Sequence, residues 1–169
     1  MLYIYFSKKT TLKMKKLLLC ITFICTCMYT SFGQTKAMDP TTFAKNYFAT
    51  WNKTQTPNAS VEDLENFLAL LTDDVALQHF PYDKTDDREP NGKQVIRKGM
   101  SRWRGVNTSY TAKLLEINHG HDVIVIKYIA TVTFIDGKTK KERSITKNNL
   151  EVLELDNGKV SIIRKYGKY

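Results

Sequence analysis

Cysteine is scarce in this chain of 169 residues, and its three copies, Cys20, Cys25 and Cys27, all lie within the first 33 residues. Because residues 34–169 contain no cysteine, that part of the chain cannot form disulfides, attack with a thiolate or bind zinc through cysteine. It also lacks a phosphate-binding glycine loop, a nucleophile elbow and a metalloprotease helix motif. These absences exclude the enzyme classes that depend on such motifs.

Acidic residues are missing from residues 1–33, although that stretch holds five lysines. Lys15 and Lys16 precede an uninterrupted run of apolar and small residues over 17–28. A run of about a dozen residues is shorter than the roughly 20 that a membrane-spanning helix requires. The pattern predicts a signal peptide over residues 1–33 and no permanent membrane anchor.

The end of this leader also has the residues expected of a cleavage site. Ser31 and Gly33 are small and occupy the two positions that a signal peptidase reads. We therefore predict cleavage before Gln34 and export to the periplasm or out of the cell. Met14 is an alternative start, because the residues before it add nothing that a leader needs.

The remaining chain has only a small excess of positive charge. Residues 34–169 hold 21 Lys and Arg against 17 Asp and Glu, a net charge of +4 compared with +9 for the whole sequence. Two basic groups, on the third predicted helix and around a late hairpin, read as solvated faces because no nucleic-acid recognition motif accompanies them. We expect one globular domain over residues 34–169 and no nucleic-acid partner.

The first predicted helix begins with its own capping signal. Asp39 and Pro40 supply an N-cap and a first-turn proline, and Phe43, Tyr47 and Trp51 follow at intervals of four. This spacing places the three aromatic rings on one face of an amphipathic helix.

Two further helices follow from similar signals. Ser60 and Asp63 resemble a capping box in front of a second helix. A third helix is predicted over residues 93–104, with an inward face formed by Ile96, Met100 and Trp103.

The first strand is predicted over residues 75–80, where apolar and polar residues alternate. His79 then lies on the same face as Val75 and Leu77. The two aspartates at positions 73–74 suit a helix-ending turn before this strand. The polar stretch that follows it is typical of a loop beside a functional site.

Beyond residue 106 the chain reads as four strands joined by hairpin turns, over 110–117, 123–135, 143–155 and 160–166. The order of elements is therefore α-α-β-α-β-β-β-β. It predicts an α+β fold, with three helices gathered on one face of a bent, mainly antiparallel sheet.

The segment 123–135 is apolar on both faces of its predicted strand. One face is continuous from Ile124 to Phe134, and the other mixes Val123, Val125 and Ile129 with polar residues. A sheet with one solvated face shows cleaner alternation, and no segment of the chain remains to cover the second face. We therefore predict a homodimer formed through the sheet.

Four local strings, together with the order of elements, carry a family resemblance: YFATWN, LTDDVALQHFP, GKQVIRKGMSRW and LDNGKVSIIRKYGKY. The chain resembles the nuclear transport factor 2-like (NTF2-like) superfamily, in its SnoaL-like and ketosteroid-isomerase-like branch. The resemblance implies a cone-shaped fold, an apolar cavity at the wide end of the cone and frequent homodimers.

The isomerase branch also implies positions for polar residues. Its proton-transferring carboxylate stands just before a proline, where this chain has His79, and its tyrosine donor falls on Tyr47. Its late-strand acid, a carboxyl held neutral, falls near Glu151 or Asn149. Because the carboxyl positions depart from the branch or are unsettled, the resemblance implies a polar pair in the cavity but not steroid isomerisation.

The candidate catalytic residues are His79, as a general base, and Tyr47, as a donor to an oxyanion. A histidine that titrates near pH 6.5 can take and return a proton at physiological pH. The alternatives are an inert, hydrogen-bonded histidine at the cavity rim and a tyrosine that belongs to the core. The positions expected to line the cavity and bind ligand are Phe43, Trp51, Leu77, Trp103, Tyr128 and Glu151.

A metal site is the weaker interpretation of the histidines. His119 and His121 could join His79 as zinc ligands, but Gly120 between them indicates a hairpin tip. We expect neither a metal nor a cofactor.

Two classes of function are compatible with these features. The favoured one is an exported protein that binds a small apolar or amphipathic molecule in its cavity. The alternative is a cofactor-independent enzyme of the isomerase, cyclase or dehydratase type, with His79 and Tyr47 moving a proton next to a carbonyl. An interaction module that works through its sheet face is a weaker third.

Overall fold

The structure is a computed structural model, and it describes residues 39–82 and 87–167. The predicted signal peptide lies outside the described residues. The described residues form α1 (Pro40–Gln55), α2 (Val61–Leu68), β1 (Leu71–Phe80), α3 (Gly92–Trp103), β2 (Asn107–His119), β3 (Val123–Ile135), β4 (Glu142–Asp156) and β5 (Lys159–Gly167). None of the helices among the described residues is long and apolar enough to cross a membrane.

Helices α1 and α2 begin where their capping residues predict. The Asp39 carboxylate accepts a hydrogen bond from the backbone N–H of Thr42 at 2.8 Å, and Pro40 follows it. Ser60 and Asp63 form a reciprocal capping box at the start of α2. Each cap satisfies backbone donors that the first turn leaves open, which defines where the helix begins.

The five strands form one curved, unclosed sheet in the order β1-β5-β4-β3-β2. All neighbours are antiparallel except β1 and β5, which are parallel. Irregular register within three of the four strand pairs bends the sheet. The α+β fold class and its order of elements are confirmed.

Strand β1 is longer than the alternation of residues 75–80 predicts. It begins at Leu71, which pairs with Val160 of β5, so Asp73 and Asp74 lie in the strand and not in a turn. Aspartate has a low strand propensity, and for that reason the sequence pattern breaks there. In the structure Asp73 forms an ion pair with Lys93, and Asp74 forms an ion pair with Arg88.

The core lies between the helices and the inner face of the sheet. The inner residues of β3 are buried from Ile124 to Ala130, and they pack with side chains of α1 and α2. The outer face of β3 is half-buried at Val123, Val125 and Ile129. Farther along the same face, Thr131 and other hydroxyl side chains of β3 and β4 bond to one another.

Helix α3 begins in direct contact with β1. A Cβ atom at Gly92 would overlap the backbone carbonyl oxygen of Val75, whereas a Cβ atom at Gly99, in the middle of the same helix, meets no atom within 4 Å. The absence of a side chain at Gly92 therefore allows the helix to approach the strand.

These two glycines should respond in opposite ways to alanine. Gly92→Ala forces α3 away from β1 and should lower the free energy of unfolding by about 1–3 kcal/mol, as overpacking does. Gly99→Ala should raise it by up to about 1 kcal/mol, because alanine is the better helix former. Urea unfolding followed by circular dichroism measures both, and equal effects of the two changes would contradict this account.

Candidate functional site

A cavity of about 590 Å³ opens between β1 and α3, and the end of α1 and the start of α2 close it. This volume lies within the roughly 300–1,000 Å³ of small-molecule sites. The lining residues come from four elements and three loops: Trp51, Thr54, Gln55, Ser60, Leu64, Val75, Ala76, Leu77, His79, Asp87, Glu89, Asn91, Gly92, Val95, Ile96, Gly99, Met100, Trp103 and Arg104.

Helix α3 supplies one wall of the cavity. Its lining residues recur every three or four positions from Gly92 to Trp103, so they form one stripe along the helix with Gly99 near its centre. The edges of this stripe are exposed to solvent, since Val95 is 61% exposed and Trp103 is 72% exposed. Trp103, predicted to point inward, lines the cavity but leaves most of its surface to solvent.

Strand β1 supplies the opposite wall. Val75, Leu77 and His79 all line the cavity, and His79 is half-buried near the end of the strand. In the parallel register with β5, His79 lies beside Lys165.

A buried polar cluster lies behind this cavity, and its centre is Glu151. The Glu151 side chain is 1% exposed. Tyr47 donates to its Oε2 at 3.0 Å and Tyr128 donates to its Oε1 at 2.6 Å. The Lys165 ammonium group lies 3.1 Å from Oε1, so hydrogen bonds and an opposite charge compensate the buried carboxylate.

Trp51 separates the buried cluster from the cavity. Its indole lines the cavity, and the Lys165 Nζ lies 3.5 Å from the centroid of the same ring system, a cation–π contact. The ring of Phe67 packs against both Trp51 and Tyr47, with centroids 5.3 and 5.4 Å away. Trp51 is thus held from behind by an ammonium group and by an aromatic ring.

The tyrosines of the cluster are held in their neutral form. Burial, and then the negative charge of Glu151, raise the pKa of Tyr47 well above its ordinary value. The same two causes raise the pKa of Tyr128, and they also raise the pKa of Tyr110, which packs at the edge of the core. These hydroxyls therefore act as hydrogen-bond donors and not as proton-transferring groups near neutral pH.

The structure divides the residues predicted for the site into two groups. Trp51, Leu77, His79 and Trp103 line the cavity. The other four are buried outside its lining: Phe43, Tyr47, Tyr128 and Glu151.

Two residues near the site were not among the sequence candidates. Lys165 follows Ile163 by two positions on β5, and that alternation could have placed it on the buried face. Arg104 was read as part of a solvated basic face, but it is half-buried and lines the cavity just after α3. A pattern of charge alone does not distinguish such a residue from its exposed neighbours.

In the described segment 87–91, just before α3, Arg88 forms a double ion pair with the sheet. Its guanidinium lies 2.8 Å from the Asp74 carboxylate on β1 and 2.9 Å from the Asp156 carboxylate at the end of β4. The hydrogen bond from the Arg88 guanidinium lowers the pKa of Asp74. The neighbouring residues Asp87 and Glu89, which line the cavity, are held in place by this double ion pair.

The histidines of the hairpin tip are remote from this cavity's lining. His119 ends β2, and the His121 side chain, 3.1 Å from the Asp122 carboxylate, is 99% exposed. Among the residues that the structure describes, no three His, Cys, Asp or Glu side chains are grouped so that they could hold a metal ion.

Solved structures share this architecture. An NTF2-like protein from Anabaena variabilis aligns with a TM-score of 0.59 at 13% identity, over 81% of this chain and 96% of its own. A putative SnoaL-like polyketide cyclase from Shewanella denitrificans aligns with a TM-score of 0.62 at 10% identity, over 77% and 90%. The chain has the NTF2-like cone fold.

A third solved structure extends the comparison to the isomerase branch. A protein with a ketosteroid isomerase-like fold from Catenulispora acidiphila, in complex with trimethylamine, aligns with a TM-score of 0.53 at 13% identity, over 73% of this chain and 83% of its own. No protein-family model and no curated protein matches the chain. At these identities the NTF2-like likeness establishes the fold alone, and the site must be interpreted from its own residues.

The buried tyrosines predict how the protein responds to alkali. Above pH ~10 the unfolded chain loses protons that Tyr47, Tyr110 and Tyr128 keep in the folded state, so the free energy of unfolding falls as the pH rises. Each tyrosine contributes up to about 1.4 kcal/mol per pH unit, and this stabilisation is fully present below pH ~10. Tyrosinate absorbance and circular dichroism, recorded together during an alkaline titration, measure the effect.

We expect the last step of tyrosinate absorbance to coincide with the loss of the circular dichroism signal. Ionisation of every tyrosine while that signal remains native would contradict the cluster as described.

Proposed function

We propose that the protein binds a small apolar or amphipathic molecule in the cavity between β1 and α3. The observation that supports this most directly is the cavity itself, about 590 Å³ in volume, with a wall of aliphatic and aromatic side chains. The α3 side of the cavity is apolar from Gly92 to Trp103, and polar residues from α1, the loops and the end of β1 complete the lining, a combination that suits an apolar or amphipathic ligand.

The fold neighbours support a small-molecule site. One of them holds trimethylamine and another is described as a putative polyketide cyclase. Export and assembly belong to the same proposal: a leader over residues 1–33 would carry the protein out of the cytoplasm, and the half-buried outer face of β3 would pair two copies.

The two tryptophans of the chain make this binding measurable. Trp51 and Trp103 are its only tryptophans, and both line the cavity. An apolar molecule that enters the cavity should change their fluorescence, and decanol is a suitable neutral probe. We expect saturable binding of decanol to the wild-type protein.

Gly99 provides a way to block the cavity without unfolding the helix. A side chain there extends from the centre of the α3 stripe into open space, so Gly99→Phe should occupy the cavity and weaken decanol binding at least tenfold, a loss of about 1.4 kcal/mol. Gly99→Ala is the matched control and should bind nearly as the wild type does. Unchanged decanol binding by Gly99→Phe, or no binding by the wild type, would refute the proposal.

A second function, proton transfer next to a carbonyl, is favoured by one observation: His79 lies in the wall of the cavity. Tyr47 could assist only if its hydroxyl left Glu151, to which it donates. An enzyme of this type would exchange the α-hydrogens of a bound ketone with solvent, and it needs no cofactor to do so.

Deuterium uptake distinguishes this function from binding alone. Incubation of 2-decanone in heavy water, followed by NMR, should show exchange accelerated about 10²- to 10⁴-fold by a positioned base. His79→Ala should abolish the acceleration while decanol binding persists. An uncatalysed rate with the wild-type protein would leave the binding function as the only one.

A further inference from the structure

Most of the six arginines of this chain are paired with acids. Among the described residues, four of them form ion pairs at 2.7 to 3.0 Å: Arg88, Arg97, Arg143 and Arg164. Within the same part of the chain, Arg102 and Arg104 have no side-chain hydrogen bond or ion pair. Arg102 is exposed, so water satisfies its five donors.

Arg104 is in a different position, because it is half-buried and lines the cavity. It follows Trp103 directly at the end of α3, and its side chain borders the apolar wall that this helix supplies. Its backbone N–H donates to the carbonyl of Met100, which fixes the start of the side chain. A partly desolvated guanidinium that has no hydrogen-bond acceptor is unfavourable. A ligand that supplies the acceptor removes this cost and therefore binds more tightly.

The other charged groups of the cavity lie away from Arg104 along α3. Asp87 and Glu89 line the cavity before the first residue of the helix, and α3 has 12 residues, a length of about 18 Å. His79 lies on the opposite wall. An anionic group at Arg104 therefore avoids the repulsion that it would meet at the other end of the cavity.

We propose that Arg104 makes this cavity selective for amphiphiles that carry a carboxylate, with the head group at the end of α3 and the apolar tail along the α3 stripe. This rests on the proposed binding function and adds the class of ligand. Arginine suits the task because its planar fork can donate two parallel hydrogen bonds to one carboxylate.

Three probes with the same tail and different head groups test the proposal. Decanoate, decanol and decyltrimethylammonium are titrated below their micelle concentrations, at pH 8 and low salt, with tryptophan fluorescence as the readout. Decanoate should bind the wild-type protein about tenfold or more tightly than decanol, the range of a charge-assisted hydrogen bond. The cationic probe should bind no better than decanol.

Two neighbouring variants locate the effect. Arg104→Gln should reduce the tenfold preference for decanoate over decanol to about one. Arg102→Gln removes the same charge two residues away, from an exposed and equally unpaired side chain, and should keep the preference for decanoate. Unfolding curves for both variants confirm that the fold is intact.

The outcomes separate this inference from the binding function on which it rests. If decanol binds and Gly99→Phe blocks it, but decanoate binds no better, the cavity is a binding site and the selectivity for a carboxylate is refuted. Equal losses in Arg102→Gln and Arg104→Gln would also refute it, because they would indicate attraction by surface charge in general. If none of the probes binds, the proposed function itself fails.

Discussion

The carboxylate of Glu151 is the group on which the arrangement of this fold depends most. An ionised carboxylate that is almost fully buried is costly unless every partner is present. Its partners come from three other elements, Tyr47 on α1, Tyr128 on β3 and Lys165 on β5. The cluster therefore accepts only one placement of α1 across the sheet, since a shift of the helix along its axis would remove one of the donors.

That placement determines the cavity as well. Trp51 lies one helical turn beyond Tyr47, and the Lys165 ammonium group supports its ring from the side of the cluster. The Glu151 cluster thereby lies behind the ring of Trp51, and the cavity lies in front of it. A buried ionic cluster and a ligand-sized cavity are thus neighbours with one aromatic ring between them.

Most of the fold could be predicted from local signals in the sequence. Caps and glycine-containing turns marked where helices and hairpins begin, and β3 was placed at its observed residues because such turns bound its apolar run on both sides. The start of β1 was missed, because Asp73 and Asp74 interrupt the apolar pattern there and their partners Lys93 and Arg88 are distant in sequence. Long-range charge pairs leave no periodic pattern.

The candidate site was predictable only in part, for a similar reason. A residue on the inward face of an element can line a cavity or fill the core, and its neighbours in space decide which. His79 and Leu77 lie beside the cavity, whereas Tyr47, on an equally apolar face, is drawn to Glu151 more than 100 residues later. The register of β4 against β3, which places Glu151 next to Ile126, becomes known only when the strands are paired.

The parallel pairing of β1 with β5 has a consequence for how the chain folds. The first strand finds its partner in the last one, so β1 stays an unpaired edge until residues 159–167 have emerged. Contacts between such distant segments carry a large loss of chain entropy and slow the folding of the whole domain. Lys165 lies on that last strand, so the charge that compensates Glu151 also arrives late. The β1 wall of the cavity and the buried ion pair therefore both require the same strand, β5, and neither is complete until that strand is in place.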